Sequence, residues 1–209
     1  MHHNPLVGVP TAQFYAAGQS CELVRLADHS RTDKNTSHSY LPLYQRLLES
    51  KKNTAKRVLE VGIAKGGSIK LWHDFFPNAT VYGLDIIGAS SVWGTLHNNS
   101  RIQLYTSYNA YDERLFASTF LAKGEQFDFM LDDGPHDLES MIQFIRLYSL
   151  LMTDDGILII EDVQAWEWIA TLIDAVPEHL KNFVRVYDLR PLKNRWDDIV
   201  FTIDKSIIP

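Results

Sequence analysis

The stretch that decides the fold is FDFMLDDGPH, residues 127–136. Its mostly apolar first half predicts a short strand that is buried on both faces. This strand ends abruptly at two carboxylates, a Gly-Pro turn and an imidazole. In open parallel α/β sheets, ligands bind outside the carboxyl ends of the strands. Asp132, Asp133 and His136 are therefore candidate site residues.

A second stretch of the same kind, GILII at residues 156–160, ends at Glu161 and Asp162. If the two strands are neighbours, four carboxylates and one histidine converge on one rim of the sheet. That many like charges would repel one another unless a cation lies among them, and a divalent metal ion is the simplest candidate. The pattern therefore favours a metal site at this rim.

Predicted strands and helices alternate along the rest of the chain. The other strands are predicted at residues 57–61, 79–84, 102–105, 183–188 and 199–203. Helices are predicted at residues 39–50, 69–76, 112–123, 138–152 and 166–176. The turn Asp154-Asp155-Gly156 is expected to end the helix at 138–152. This alternation favours a three-layer α/β sandwich.

A glycine-rich turn, EVGIAKGG at residues 60–67, follows the first strand and opens a helix. Small residues let such a turn pass close beneath a nucleotide-like ligand, because a Cβ would collide or force strain. Ala64 replaces the second glycine of a dinucleotide fingerprint, which weakens a dinucleotide interpretation. Glu60 would face a diphosphate unfavourably but could bond a cationic amino-acid group. Asp85, after the second strand, is placed to bond ribose hydroxyls.

The composition indicates one acidic domain with a substantial core. The 209 residues carry a formal net charge of -6, and 45% of them are apolar. This charge gives no broad attraction to nucleic acid or anionic membranes. The single cysteine, Cys21, excludes an intrachain disulfide and a cysteine-based zinc site. We expect a cytoplasmic protein without a nucleic-acid or membrane partner, with a lead-in segment at residues 1–37 and one domain at 38–209.

Together, the E-x-G-x-x-x-G turn, Asp85 and the LDDGPH motif resemble class I methyltransferases that use S-adenosylmethionine. More narrowly, Thr32-Asp33-Lys34, the DDGPH motif and Glu161-Asp162 resemble the magnesium-dependent sugar O-methyltransferases of the macrocin and mycinamicin type. These enzymes also resemble cephalosporin hydroxylase-like proteins. The resemblance extends from about Thr32 to Ile203. It implies a Rossmann-like fold with a seven-stranded, mostly parallel sheet whose last strand is antiparallel.

The resemblance also implies a role for each matching residue. The expected Mg²⁺ ligands are Asp133, Glu161 and Asp162. His136 is the expected base, and Asp133 is expected to take part in catalysis as well. The residues expected to bind S-adenosylmethionine are Glu60, Gly62, Ala64, Gly66, Ser68, Asp85, Asn109, Asp132, Thr32 and Lys34. Two positions depart from the family pattern, since Pro135 replaces a frequent serine and Asn109 a frequent aspartate.

The expected reaction is methyl transfer to a hydroxyl of a sugar or of a glycosylated small molecule. A bound cation lowers the pKa of a coordinated hydroxyl, and a nearby imidazole can take the proton. Three alternatives stay open: an NAD-dependent oxidoreductase, a cofactor-binding subunit without catalysis, and a catechol-type methyltransferase. A homo-oligomer is a further expectation.

The segment between the last two predicted strands is rich in charges. Its charged residues include Arg190, Arg195, Asp197 and Asp198. We interpret them as surface ion pairs on a hairpin, because exposed pairs of opposite charge are common there and contribute little.

Overall fold

The computed structural model describes residues 21–207, and a seven-stranded sheet lies at its centre. The strands are β1 (Arg57–Val61), β2 (Thr80–Leu84), β3 (Ile102–Tyr105), β4 (Phe127–Asp132), β5 (Met152–Ile160), β6 (Val184–Asp188) and β7 (Ile199–Asp204). All positions of β7, and all but one of β1, β2 and β4, are buried. Strands covered on both faces need such continuous apolar runs rather than an alternating pattern.

The strand order across the sheet is β3-β2-β1-β4-β5-β7-β6. Neighbouring strands from β3 to β5 run parallel, whereas β7 is antiparallel to both β5 and β6. The Rossmann-like sheet with an antiparallel last strand is therefore confirmed. The carboxyl ends of β1, β4 and β5 lie side by side. Residues that follow these three strands consequently share one edge of the sheet.

Helices cover both faces of the sheet. They are α1 (Glu22–Leu26), α2 (Leu41–Leu48), α3 (Gly67–Phe75), α4 (Glu113–Thr119), α5 (Leu138–Tyr148), α6 (Trp168–Ala175) and α7 (Arg190–Lys193). Short 3-10 helices lie at Glu49–Lys51, Ala89–Ser91, Gly94–Leu96, Leu121–Lys123, Ser149–Leu151 and Glu178–Phe183. One apolar cluster holds side chains of α1 to α3, such as Leu43 and Trp72, and the other holds side chains of α4 to α6, such as Phe144 and Leu172. The predicted three-layer sandwich is confirmed.

The boundary between α5 and β5 differs from the prediction. The helix ends at Tyr148, and β5 already begins at Met152, so the predicted turn at residues 154–156 lies inside the strand. Met152 pairs with Phe127, the register then shifts, and Ile157 pairs with Phe129. The residues between these pairings form a bulge. Exposed aspartates beside a glycine suit a bulge as well as a turn, so the pattern alone cannot separate the two.

The chain ahead of α2 packs against the domain where the structure describes it. Leu23 of α1 is buried, and the side chain of Lys34 reaches the interior. Residues 1–20 of the predicted lead-in segment lie outside the described residues. Within residues 21–207, no helix combines the length and the apolar character needed to cross a membrane.

Candidate active site

The turn after β1 passes directly against the end of β4. Gly62 has a φ of +82°, and a Cβ built there would lie 1.9 Å from the carbonyl oxygen of Asp133. Only glycine fits such a contact at that φ without strain. Ala64 also has a positive φ, 45°, and its N–H donates to Asp85 Oδ2 at 2.9 Å. Asp85 therefore fixes the conformation of the turn.

A cavity of about 330 Å³ opens above this turn. Its lining residues are His29, Ser30, Arg31, Thr32, Asp33, Thr36, Gly62, Ile63, Ala64, Lys65, Ser68 and Asp133. Four predicted cofactor residues are thereby brought together: Thr32, Gly62, Ala64 and Ser68. The lining thus comes from two segments, the polar loop that carries Thr32 and the glycine turn after β1.

The other predicted cofactor residues lie outside this lining. Gly66 packs against Leu96, since a Cβ built on it would lie 2.4 Å from Leu96 Cδ1. Asn109 is exposed, and its Oδ1 accepts from the N–H of Tyr111 at 3.1 Å. Asp132 is buried and accepts from the hydroxyl of Tyr111 at 2.5 Å. Asn109 and Asp132 thus organise the segment around Tyr111.

Lys34 lies fully buried among three carboxylates. Its Nζ is 2.7 Å from Asp133 Oδ2 and 3.4 Å from Glu60 Oε1, and it also donates to Glu161 Oε1. Burial alone would lower the pKa of Lys34, but the three carboxylates outweigh burial and hold that pKa well above its ordinary value. Glu60 also accepts from Trp72 Nε1 at 2.7 Å. Glu60 and Lys34 thus form an interior ion pair behind the cavity.

Asp133, His136 and Asp162 meet at the rim of the sheet. His136 Nε2 lies 3.6 Å from Asp133 Oδ1 and 3.6 Å from Asp162 Oδ2. His136 and Asp162 both have positive φ, 59° and 56°. Non-glycine residues hold this conformation at a cost of about 1–3 kcal/mol, and such residues cluster at functional sites. The two strand ends therefore present their polar groups to one point.

Glu161 faces the interior rather than that point. Its Oε1 accepts from Lys34, and its Oε2 accepts from the hydroxyl of Tyr44 at 2.5 Å. One atom each from Asp133, His136 and Asp162 lies within 4.8 Å of the others. Of the three predicted metal ligands, Asp133 and Asp162 are thus brought together with His136, while Glu161 lies behind them.

The negative charges of the rim carboxylates are not fully neutralised by positively charged groups nearby. Burial raises the pKa of Asp133 to about 7, that of Glu161 to about 8 and that of Asp162 to about 6. Burial likewise raises the pKa of Asp132 to about 7. A divalent cation prefers oxygen ligands and would offset this excess of negative charge. Asp133 and Asp162 therefore fit a hard cation such as Mg²⁺, with Glu161 next to it.

Sequence reasoning missed a set of residues behind Asp162. Asp162 Oδ1 accepts from the hydroxyl of Tyr40 at 2.5 Å and lies 3.1 Å from His38 Nδ1. His38 Nδ1 also lies 2.7 Å from Asp198 Oδ1. Tyr40 and Tyr44 both lie on the buried face of the α2 region. Two tyrosines at apolar positions of a predicted helix were the available signal, because a buried hydroxyl needs a hydrogen-bond acceptor nearby.

The predicted surface position of the charges between β6 and β7 is wrong in part. Arg190 does pair with Asp188, and Arg195 with Asp197, at 2.7 Å each. Asp197 and Asp198, however, are buried, and the side chain of Asp198 has no exposed area. β7 pairs with β5, and Asp162 follows the end of β5. The segment that leads into β7 therefore lies next to Asp162 and is buried there. The local composition of the sequence does not show that β7 will pair with β5.

Known proteins that resemble this chain include sugar O-methyltransferases. No protein-family model matches the chain. The chain is similar to mycinamicin VI 2''-O-methyltransferase of Micromonospora griseorubida, with 28% identity over 139 residues, 63% of this chain and 33% of that protein. It is also similar to the 8-demethyl-8-(2-methoxy-alpha-L-rhamnosyl)-tetracenomycin-C 3'-O-methyltransferase of Streptomyces olivaceus, 26% identical over 156 residues, 71% of this chain and 38% of that protein. The resemblance to sugar O-methyltransferases is confirmed, although the match spans only about a third of these relatives.

A solved structure with the same fold is MycE methyltransferase from the mycinamycin biosynthetic pathway, in complex with Mg, SAH and mycinamycin VI. The two folds superpose with a TM-score of 0.68 at 21% identity, over 87% of this chain and 53% of that one. The Rossmann-like methyltransferase fold is thereby shown for residues far beyond the motifs.

Proposed function

We propose that this chain, which shares its fold and part of its sequence with sugar O-methyltransferases, transfers a methyl group from S-adenosylmethionine to a sugar hydroxyl with the help of Mg²⁺. One observation carries the proposal. Asp133, which lines the cavity over the glycine turn, also meets His136 and Asp162 at the rim. The proposed cofactor site and the proposed acid-base site would therefore share one side chain.

The cavity over the glycine turn is the proposed cofactor site. Gly62 and Ala64 offer backbone at close range, and Thr32 and Ser68 offer hydroxyls. Glu60 and Lys34 support the site from behind through their ion pair rather than by lining it. Asp85 is engaged by the N–H groups of Ala64 and Ile87, at 2.9 and 3.1 Å. Its proposed contact to ribose would add to these bonds, since a carboxylate accepts several.

Asp133 and Asp162 are the proposed magnesium ligands, with Glu161 as the third. Glu161 Oε1 and Oε2 each keep a further lone pair beside their bonds to Lys34 and Tyr44. When bound, Mg²⁺ lowers the pKa of a hydroxyl that coordinates it. The protein's own contribution is to hold the two aspartates at a fixed separation and to keep the acceptor oxygen next to His136.

His136 is the proposed base. Burial lowers the pKa of its imidazole, so the ring is neutral near pH 7 and can accept a proton. Its Nε2 points between Asp133 and Asp162, at 3.6 Å from each. A proton taken there would be stabilised by both carboxylates. This arrangement suits removal of a hydroxyl proton as the oxygen attacks the methyl group.

A second cavity, of about 390 Å³, supports a sugar acceptor. It is lined by Asp188, Arg190, Pro191, Asn194, Arg195 and Trp196. Trp196 is 62% exposed, which is unusual for so large an aromatic ring, and such a ring can stack on a sugar face. Arg195 pairs with Asp197, which together with Asp162 belongs to a cluster whose ligand atoms lie within 4.8 Å. Arg195 thus links the second cavity to the carboxylates around Asp162.

The test is transfer of a labelled methyl group from S-adenosylmethionine to a panel of acceptors, with and without Mg²⁺. The panel contains mycinamycin VI, an α-L-rhamnosyl glycoside and catechol. Transfer to a glycoside that requires Mg²⁺ and is lowered about 10²–10⁴-fold in His136→Ala supports the proposal. His179→Ala, an exposed histidine far from the rim in sequence, is the matched control. Transfer to catechol alone would contradict the sugar acceptor.

Two expectations about the whole protein stay predictions. One is a cytoplasmic location, and the other is a homo-oligomeric state. The absence of a nucleic-acid partner stays a prediction in the same way. A measurement of molecular mass in solution would test the homo-oligomeric state.

A further inference from the structure

A buried pair, His38 and Asp198, lies directly behind Asp162. His38 comes from the segment that enters α2, and Asp198 from the residue before β7. Their contact, from Nδ1 to Oδ1, measures 2.7 Å, and both residues are almost fully buried. Because Nδ1 faces carboxylate oxygens of both Asp198 and Asp162, this nitrogen must carry the hydrogen. Asp198 therefore fixes the orientation of the imidazole.

The same nitrogen reaches one particular oxygen of Asp162. Oδ1 of Asp162 lies 3.1 Å from His38 Nδ1 and 2.5 Å from the Tyr40 hydroxyl. The rings of His38 and Tyr40 stack, with centroids 4.8 Å apart and an interplanar angle of 19°. Two donors on one rigid stack thus hold Oδ1. The other oxygen, Oδ2, is left facing His136 Nε2 at 3.6 Å.

A purely structural role explains this arrangement poorly. The side chain of Asp198 has no exposed area, and among the described residues its Oδ2 has no hydrogen-bond partner. Burying a carboxylate with an unsatisfied oxygen is costly, and an apolar residue would pack there at less cost. Arg195 Nε, 3.9 Å from Asp198 Oδ1, offsets only part of that charge. A carboxylate kept in such a place points to a use for its effect on His38.

We propose that His38, oriented by Asp198, is a positioning residue that turns Asp162 so that Oδ2 faces the magnesium site. The inference rests on the proposed function, because it assumes that Asp162 holds the cation. A carboxylate can rotate about its last bond, and fixing one oxygen fixes the direction of the other. Residues that orient a metal ligand through hydrogen bonds change metal affinity about 10–100-fold when they are replaced.

The position of Asp162 explains why such support is needed. Its φ of 56° is a conformation that non-glycine residues rarely hold without help from their surroundings. Asp33, on the loop that lines the cofactor cavity, lies 3.6 Å from the other imidazole nitrogen, Nε2. His38 therefore stands between the cofactor loop and the metal ligand, with a carboxylate on each side.

The test measures binding of Mn²⁺, as a spectroscopic substitute for Mg²⁺, to the full chain without any acceptor. His38→Ala removes the donor and should weaken Mn²⁺ binding about 10-fold. His38→Asn keeps an N–H near the position of Nδ1 and should recover most of that loss. Asp198→Asn, which keeps the shape of the side chain but not its charge, should weaken binding in the same direction. Binding of S-adenosylhomocysteine should change less than twofold in all three.

The controls separate positioning from folding. Asp204→Asn removes another buried carboxylate, at the far end of β7, and should leave Mn²⁺ binding unchanged. Melting temperature is recorded for each variant, since a merely structural role would lower melting temperature without changing affinity for Mn²⁺. If His38→Ala does not fold, Asp198→Asn carries the same test.

The outcomes distinguish this inference from the proposed function. If the unaltered protein binds Mn²⁺ and both His38→Ala and Asp198→Asn bind it equally well, the positioning role is wrong while the metal site stands. If the unaltered protein does not bind Mn²⁺, or Asp133→Asn binds it equally well, the proposed metal site is wrong and the positioning role falls with it.

Discussion

At the scale of single residues, the site is a balance between buried carboxylates and one buried ammonium group. Lys34 Nζ contacts Asp133, Glu161 and Glu60 at once. In this arrangement Lys34 supplies positive charge that Mg²⁺ would also supply to Asp133 and Glu161. The ammonium and the divalent cation are therefore expected to share these two carboxylates, with Lys34 on the interior side.

Replacing Lys34 by methionine keeps the volume of the side chain but removes its charge. Loss of one partner of a buried ion pair costs about 3–5 kcal/mol, because the remaining charges are left without compensation. We expect the free energy of unfolding, measured with urea, to fall by about that amount, and saturating Mg²⁺ to restore part of it.

The control for this change is Lys70→Met. Lys70 pairs with Asp74 on an exposed part of α3, with 38% of its side chain accessible. An exposed pair contributes about 0–1 kcal/mol, so stability should hardly change. Equal effects of Lys34→Met and Lys70→Met would contradict the central place of Lys34.

The raised pKa values at the rim predict how stability depends on pH. Burial raises the pKa of Asp162 to about 6, of Asp133 to about 7 and of Glu161 to about 8. Since these values exceed the ordinary carboxyl value of about 4, the folded protein binds more protons than the unfolded chain between those limits. The contribution of the three groups is fully present below about pH 4 and is lost as the pH rises through 6 to 8.

Metal-free protein should therefore melt at a lower temperature at about pH 8.5 than at about pH 6, and Mg²⁺ should reduce the difference. Scanning calorimetry at both pH values measures it. Asp155→Asn should leave the difference unchanged, because the Lys51 side chain lowers the pKa of Asp155 and moves it out of this range. A melting temperature that rises over this range without metal would contradict the assignment of the buried charges.

At the scale of elements, the site depends on how closely β1 and β4 end beside each other. The N–H of Asp133 donates to the carbonyl of Val61 at 2.9 Å, which continues the ladder past the last strand pair. Gly62, the next residue after Val61, passes close to the carbonyl oxygen of Asp133. The position of the Asp133 carboxylate is therefore set by backbone contacts of the turn after β1.

Gly62→Ala should disrupt the site from a position that carries no functional group. Its Cβ would lie 1.9 Å from the Asp133 carbonyl oxygen, and its φ of +82° is unfavourable for alanine. We expect a loss of at least about 1–3 kcal/mol in the free energy of unfolding, together with weaker binding of S-adenosylmethionine by calorimetry.

Gly88→Ala is the matched control for Gly62→Ala. A Cβ built on Gly88 meets nothing within 4 Å, and its φ is -76°. Such a change should alter stability by less than about 0.5 kcal/mol. If Gly62→Ala were equally harmless, the close approach of the two strand ends would not matter for the site.

The strands could be predicted from the sequence, but the order of the strands in the sheet and the local irregularities could not. Residues 127–131 are apolar except for Asp128, and residues 157–160 are apolar throughout, a pattern that predicts buried strands. The bulge after Met152 and the short helix α7 gave no such signal, since aspartates, glycines and prolines suit turns, bulges and caps alike. Pairing with a distant neighbour strand decides between these possibilities, and that neighbour is set by the whole fold.

At the scale of the whole molecule, the site is assembled from segments far apart in sequence. The meeting of Asp133, His136 and Asp162 at the rim could be predicted, because strand ends in a parallel sheet meet at one edge. Their partners could not be predicted in the same way. Lys34 lies 99 positions from Asp133, and His38 lies 160 positions from Asp198. Only packing of the segment before α2 across the sheet edge brings these groups together.

The most direct measurement of the central claim is a calorimetric titration of the folded protein with S-adenosylmethionine, with NAD⁺ as the comparison ligand and both repeated in Mg²⁺. A cavity formed by the Gly62–Ala64 turn, in which Ala64 replaces the second glycine of a dinucleotide fingerprint, should accept a sulfonium cofactor and refuse a diphosphate. We predict binding of S-adenosylmethionine and no heat from NAD⁺. Binding of NAD⁺ alone, or of neither ligand by the folded protein, would contradict the account.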